Sequence, residues 1–119
     1  MRLSIIMPCY NEAGTIKDII EKVLSLPIEK ELIIVDDGSG VPLVLNENDL
    51  IKVKLYRYEL NRGPGFARRI GRENAKGEFI CYLDSDDYWS DNFLEECVKI
   101  LNNCSNLGMV FTNTVVLKE

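Results

Sequence analysis

Apolar runs and helical periods alternate along this chain. Leu3 to Met7 is a short aliphatic run closed by Pro8, the pattern of a strand buried on both faces. From Thr15 to Leu26 the residues Ile16, Ile19, Ile20, Val23 and Leu24 follow i, i+3, i+4, i+7, i+8 spacing, which predicts an amphipathic helix ended by Pro27. Leu32 to Val35 is a second buried-strand run, stopped by Asp36-Asp37-Gly38-Ser39-Gly40. Residues 41–50 carry little pattern, and Pro42 is placed to open a short helix. Ile51, Val53 and Leu55 alternate with Lys52 and Lys54, predicting a third strand with one wetter face. Asn61-Arg62-Gly63-Pro64-Gly65 then leads into a helix over 66–75 that Gly77 ends. Phe79 to Leu83 reads as a fourth strand, followed by Asp84-Ser85-Asp86-Asp87. A helix over 91–103 comes next, with Phe93, Leu94, Cys97, Val98 and Leu101 on its apolar side. Met109 to Leu117 is a last strand candidate, broken near Asn113.

Strands that alternate with helices predict a mostly parallel sheet with helices on both faces, because parallel strands need crossover connections. The expected fold class is therefore α/β, one layer sandwich. At 119 residues the chain has room for one domain, 1–119, whose core needs no staples. A composition of 46% hydrophobic and 28% charged residues argues against disorder.

Charge narrows the partners. Fourteen Lys and Arg against nineteen Asp and Glu give a net charge of -5, which argues against nucleic acid or an anionic membrane as the main partner. A bound anion must then be attracted by a metal or by helix N-termini. Histidine is absent, which excludes Ser-His-Asp and Cys-His catalysis within the chain and H-E-x-x-H zinc sites. Cys9, Cys81, Cys97 and Cys104 form no C-x-x-C pair, which argues against a zinc ribbon or redox motif. Cys9 and Cys81, in or beside apolar runs, read as packed thiols, and a reducing compartment without a disulfide framework is expected. The opening MRLSIIMPCYNE is too short an apolar run for a signal peptide, and no stretch approaches the ~20 apolar residues of a membrane span. A cytoplasmic protein with no membrane span is expected.

In open α/β sheets ligands bind beyond the carboxyl ends of the strands. Pro8-Cys9-Tyr10-Asn11-Glu12 follows the first strand, Asp36-Asp37-Gly38-Ser39 the second and Asp84-Ser85-Asp86-Asp87 the fourth, so parallel strands bring all three clusters to one rim. Several carboxylates on one rim repel unless a cation or proton neutralises them. Asp84 and Asp86 suit a hard divalent ion that keeps positions for phosphate and water. The competing reading of 84–87 is a polar turn whose last acid caps the next helix. An EF-hand spacing over Asp84, Asp86 and Glu95 fails, because Trp89 stands where the loop needs glycine. Asp36-Asp37-Gly38 is either a simple turn or an acidic strand end that accepts hydrogen bonds from a nucleoside. The G-x-G-x-x-G of dinucleotide folds is missing after strand one, and no P-loop exists. Arg62, Arg68, Arg69 and Arg72 surround the third helix. They read either as a solvated face laced with Glu73 and Glu78 or, for Arg62 and Arg68, as ligands for phosphates or rim acids.

Pro8-Cys9-Tyr10-Asn11-Glu12, Ile33 through Ser39, Asn61-Arg62-Gly63 through Ala67-Arg68, and Ala75-Lys76-Gly77-Glu78 through Leu83-Asp84-Ser85-Asp86-Asp87 together resemble family 2 glycosyltransferases of the GT-A fold. The order and spacing of these blocks cover most of the chain. The resemblance implies an inverting transferase with a nucleotide-sugar donor, commonly UDP-linked, and Mg²⁺ or Mn²⁺ as cofactor. On these positions Pro8, Tyr10 and Glu12 would line the nucleoside pocket, Asp37 would contact the base and Asp84 would lie near the ribose or donor sugar. Asp86, closing the D-x-D motif, would ligate the metal, with Asp84 beside it. The acceptor is a sugar, lipid or protein that the motifs leave open.

The chain departs from that pattern in three ways. Arg69 stands where the family usually has Asn, and no threonine-bearing turn into a long helix follows Ser39. The sequence also stops about where the family's acceptor-binding half begins, so the fold is expected to be truncated after the D-x-D region and no general base is found in this chain. Apolar surface left uncovered by a missing half predicts self-association into a homo-oligomer. Two further functional readings remain beside transfer: a donor-binding but catalytically incompetent fragment, and a non-enzymatic α/β interaction module.

Overall fold

A computed structural model describes residues 3–12, 14–84, 87, 89, 90 and 92–110. The chain divides into two compact units, Met1–Tyr88 and Trp89–Glu119. The first contains β1 (Leu3–Cys9), α1 (Ile16–Ser25), β2 (Lys30–Asp37), α2 (Glu47–Lys52), β3 (Val53–Tyr58), α3 (Pro64–Asn74) and β4 (Phe79–Tyr82); the second contains α4 (Phe93–Asn103). The four strands form one parallel sheet in the order β3-β2-β1-β4. The chain therefore steps outward from β1 through β2 to β3 and then crosses back to the far side of β1. Right-handed crossovers running in opposite directions place α1 and α3 on opposite faces of the sheet. The α/β class expected from the sequence is the one observed.

Strand alternation assigns each side chain its face. On the α3 side Ile33 and Val35 pack with Ala67 and Ile70, flanked by Tyr56, Tyr58, Phe66 and Ala75. Helix and strand meet closely there, because a Cβ on Gly71 would lie 2.3 Å from Cγ2 of Ile6. The opposite face carries Leu3, Ile5, Met7, Leu32 and Ile34, all buried, as are Ile16, Ile20 and Val23 of α1. Both faces of β1 and β2 are thus covered, which is why these strands read as unbroken aliphatic runs rather than alternating ones.

Several boundaries differ from the sequence reading, each for a local reason. Pro8 does not close β1, which runs on to Cys9. Ile6 faces β4 and accepts the Leu83 N–H, while β4 pairing stops at Tyr82 opposite Ile6. Pro8 faces the same side beyond that end, so its missing N–H breaks no ladder bond. Pro42 opens no helix; residues 41–46 run without regular structure, anchored by the buried Leu43 and Leu45. The helix in this connection is α2, whose cap Asn46 accepts the Asp49 N–H at 2.8 Å. Ile51 and Lys52 belong to α2 and not to the third strand, because that cap outcompetes the short alternation that begins at Ile51. α3 starts two residues earlier than expected, with Pro64 in its first turn.

Met109 and Val110 lie in no strand, and the rest of the final strand candidate, 111–117, is outside the described residues, as is Asp91 ahead of α4. Among the described residues no helix is long and apolar enough to cross a membrane.

Candidate functional site

The reversal of strand order between β1 and β4 opens a crevice at the carboxyl edge of the sheet, where a cavity of about 330 Å³ sits. Its lining comes from four stretches distant in sequence. Pro8, Cys9, Tyr10 and Glu12 enter from the end of β1 and the loop beyond it, and Asp37 closes β2. Asn61 and the first turns of α3, through Pro64, Ala67 and Arg68, form another wall, and Asp84 enters just after β4. Six of the sequence-predicted site residues, Pro8, Tyr10, Glu12, Asp37, Arg68 and Asp84, are therefore gathered in one place. Asp86, expected to hold a metal, lies outside the described residues together with Ser85.

The two adjacent acids of β2 have separate tasks, because neighbouring side chains in a strand point to opposite faces. Asp37 points toward α3. Its Oδ1 accepts the Arg62 N–H at 3.0 Å and its Oδ2 accepts the Gly63 N–H at 2.8 Å, which fixes the loop that enters α3. Asp36 points the other way and is fully buried. It accepts the Leu43 N–H at 2.9 Å, the Ser39 N–H at 3.2 Å, the Ser39 hydroxyl, and Nη1 of Arg57 at 2.9 Å. Burial alone would raise its pKa, but the hydrogen bonds from Leu43, Ser39 and Arg57 prevail and hold the carboxyl below the usual carboxylate range. Asp36 thus organises the 38–43 turn, and only Asp37 reaches the cavity.

Arg68 and Asp84 form an ion pair across the cavity, Nη2 to Oδ1 at 3.1 Å, with both side chains half-exposed. Arg62 does not line the cavity. Its backbone serves Asp37, while its guanidinium carbon lies 5.2 Å from the Phe66 ring centroid, and Phe66 meets Tyr58 edge-on at 5.0 Å. Arg69 sits over the same ring at 5.6 Å and pairs with Glu73 at 3.9 Å on the exposed face. The solvated-face reading describes Arg69, and the rim-acid reading describes Arg68.

Cys9 packs as the sequence suggested, and it also lines the cavity. Desolvation, helped by the charge of Asp36, pushes its pKa up to about 11, so the thiol stays protonated and is no nucleophile. Asn92 holds the cap position of α4, and the Asp87 N–H donates to the Asp84 carbonyl at 3.0 Å. Sequence reasoning did not single out Asn61, Pro64 and Ala67 as lining. The signal was there: with a helix started at Pro64, residues 64, 67 and 68 share one face.

Among the described lining residues Glu12, Asp37 and Asp84 face a single Arg68, so an anion bound there would need further positive charge. Asp84 offers a hard oxygen ligand of the kind Mg²⁺ or Mn²⁺ takes when phosphate and water complete the shell. Among the described residues no three acidic or cysteine side chains gather as a metal cluster, and Asp86, expected to share a metal with Asp84, is not among them.

Comparison with known proteins adds independent findings. The family profile described as Glycosyl transferase family 2 matches residues 4–114. An uncharacterized glycosyltransferase of Haemophilus influenzae is 39% identical over 99 residues, covering 79% of this chain and 40% of its own. The Escherichia coli protein named UDP-Glc:alpha-D-GlcNAc-diphosphoundecaprenol beta-1,3-glucosyltransferase WfgD is 36% identical, covering 98% of this chain and 49% of its own. Among solved structures, S. aureus TarS 1–349 superposes with a TM-score of 0.75 at 30% identity over 87% of this chain and 33% of its own. The same protein in complex with UDP-GlcNAc superposes at 0.70 with 27% identity, over 87% of this chain and 32% of its own. The chain spans less than half the length of each of these relatives.

Proposed function

Because this chain belongs to glycosyl transferase family 2, we propose that the cavity at its sheet edge binds the nucleoside diphosphate of a sugar donor, and that the whole protein transfers that sugar with inversion. One observation carries this reading: Pro8, Tyr10, Glu12, Asp37, Arg68 and Asp84, drawn from four separate stretches, line one cavity at the point where strand order reverses. Support comes from TarS, which has been solved with UDP and with UDP-GlcNAc, and from the UDP-Glc in the name of WfgD.

Each residue type suits a part of such a donor. Tyr10 is 48% exposed at the cavity and offers a ring face to a base. Asp37, as a carboxylate, only accepts hydrogen bonds, which favours a base edge that presents an N–H, as uracil does. Two of its lone pairs are engaged by Arg62 and Gly63, so the carboxylate is held rigidly while keeping acceptor capacity. Arg68 supplies a forked donor set that matches phosphate oxygens. Asp84 and Asp86 would hold Mg²⁺ or Mn²⁺, which when bound offsets the charge that develops on the diphosphate leaving group. Ala67 and the protonated Cys9 contribute apolar wall, which keeps water from part of the donor.

Isothermal calorimetry with UDP and UDP-sugars, with and without Mn²⁺, tests the proposal. UDP is expected to bind, and Asp37→Ala to weaken binding by about tenfold or more, the worth of roughly one charge-assisted hydrogen bond. Failure of UDP to bind, or equal affinity in the Asp37→Ala variant, would overturn the reading.

A further inference from the structure

Asn11 adopts φ +54°, and among the described residues it is the non-glycine residue with a positive φ. Asparagine tolerates this left-handed conformation better than most residues, but an alanine there pays a steric penalty. Asn11 is not part of the cavity wall, yet its neighbours Tyr10 and Glu12 both are. Two hydrogen bonds hold it to the loop after β2. Its N–H donates to Oγ of Ser39 at 2.9 Å, and its Oδ1 accepts the Gly40 N–H at 2.8 Å. Ser39 is buried and donates its hydroxyl to Asp36, which Arg57 of β3 holds from the other side at 2.9 Å. Nη2 of Arg57 also donates to the Ser39 carbonyl at 3.0 Å. A continuous polar chain therefore runs from Arg57 on the edge strand β3, through the buried Asp36 and Ser39, to the backbone of Asn11.

We infer that Asn11 is a positioning residue for the donor cavity: its left-handed backbone and its clamp on Ser39 and Gly40 set Tyr10 and Glu12 in the cavity wall. Relaxing residue 11 toward negative φ rotates the chain between Tyr10 and Glu12, so the two side chains no longer enter the same space. Asp36 gains a role in function through this clamp without touching the cavity. The inference rests on the proposed donor site for its binding readout, and has a second readout that does not.

Three variants separate backbone from side chain. Asn11→Asp keeps an Oδ acceptor and the tolerance of positive φ, Asn11→Gly keeps only the φ, and Asn11→Ala keeps neither. UDP dissociation constants measured by calorimetry are expected to rise about tenfold in Asn11→Ala, to rise by a smaller factor in Asn11→Gly, and to stay within about twofold of wild type in Asn11→Asp. Thermal midpoints should fall by several degrees in Asn11→Ala, which carries the steric penalty of the positive φ, and stay near wild type in Asn11→Gly and Asn11→Asp. Hydrogen exchange on the ligand-free protein supplies the second readout. In Asn11→Ala the amides of residue 11 and Gly40 should gain about tenfold in exchange rate beyond any change seen in the β2 amides, and Asn11→Asp should restore protection. Wild-type protein that binds UDP while Asn11→Ala binds it equally well overturns the inference and leaves the donor site standing. Wild-type protein that binds no UDP overturns the donor site, and unchanged exchange at Gly40 in Asn11→Ala then overturns the clamp as well.

Discussion

Gly38→Ala is expected to destabilise the protein by about 3–4 kcal/mol and to lower its melting temperature by roughly 10 °C or more. Two costs add. Gly38 sits at φ +77°, where a Cβ meets the following carbonyl, and that Cβ would also lie 2.4 Å from the backbone N of Asn61 and 2.8 Å from the Leu60 carbonyl carbon. Backbone atoms cannot rotate aside as a side-chain tip does, so the 60–63 loop must move. That loop carries the Arg62 and Gly63 N–H groups on Asp37 and the Asn61 wall of the cavity. Loss of stability should therefore come with loss of UDP affinity in whatever fraction remains folded. Gly65→Ala is the control: nothing lies within 4 Å of its Cβ and it sits in the first turn of α3, so it should be neutral or slightly stabilising. Chemical denaturation of both variants checks the contrast, and equal stabilities would refute the close-approach account.

Gly38 also shows where the sequence was informative and where it fell short. Asp36-Asp37-Gly38 was recognisable as a strand end, and the structure gives its two acids different places: Asp36 holds the 38–43 turn and Asp37 lines the cavity. Alternation alone says that Asp36 and Asp37 face opposite ways. Which of them faces the cavity depends on the hand of two crossovers and on α3 occupying one face, and no local pattern contains that. β1 and β2 were legible because strands buried on both faces leave long aliphatic runs. Residues 41–52 were not, because a short helix capped by Asn46 leaves no buried stripe of its own, and Ile51 is 83% exposed despite its apolar side chain.

The arginines make a similar point about register. With the helix started at 66, Arg62 and Arg68 looked equally able to reach the rim. With α3 beginning at Pro64, residues 64, 67, 68 and 71 form one stripe. Its upper part, Pro64, Ala67 and Arg68, lines the cavity, and its lower part, Gly71, lies against Ile6. Arg69 and Arg72 are turned away by the same geometry. A two-residue error in a helix start was enough to blur which cation belongs to the site.

At the opposite, amino edge of the sheet, Glu31→Ala is expected to cost about 3 kcal/mol at neutral pH and to leave UDP affinity unchanged. Glu31 is buried and ties three segments together. Its carboxylate accepts Nζ of Lys54 in β3 at 2.7 Å, the hydroxyl of Ser4 in β1 at 2.5 Å and the Lys76 N–H at 2.5 Å. Ser4 Oγ in turn accepts the Gly77 N–H at 2.7 Å, and a Cβ on Gly77 would lie 2.5 Å from Ser4 N, so the Lys76-Gly77 stretch is shaped for this close approach and not for the cavity. Burial by itself would raise the pKa of Glu31, but the bonds from Lys54, Ser4 and Lys76 outweigh it and bring the value down from 4.5 to about 2. A carboxylate held below its unfolded value stabilises the fold at pH above the unfolded pKa, and that contribution is lost as pH falls from 4.5 toward 2. The shift corresponds to roughly 3 kcal/mol at 1.36 kcal/mol per unit. Glu31→Gln keeps the size and an acceptor but cannot ionise, so its deficit against wild type should be largest at pH 7 and shrink steadily between pH 4.5 and pH 2. Urea denaturation of wild type and Glu31→Gln across that range measures this. A deficit that does not change with pH would mean that packing, and not the charge of Glu31, holds the amino edge together.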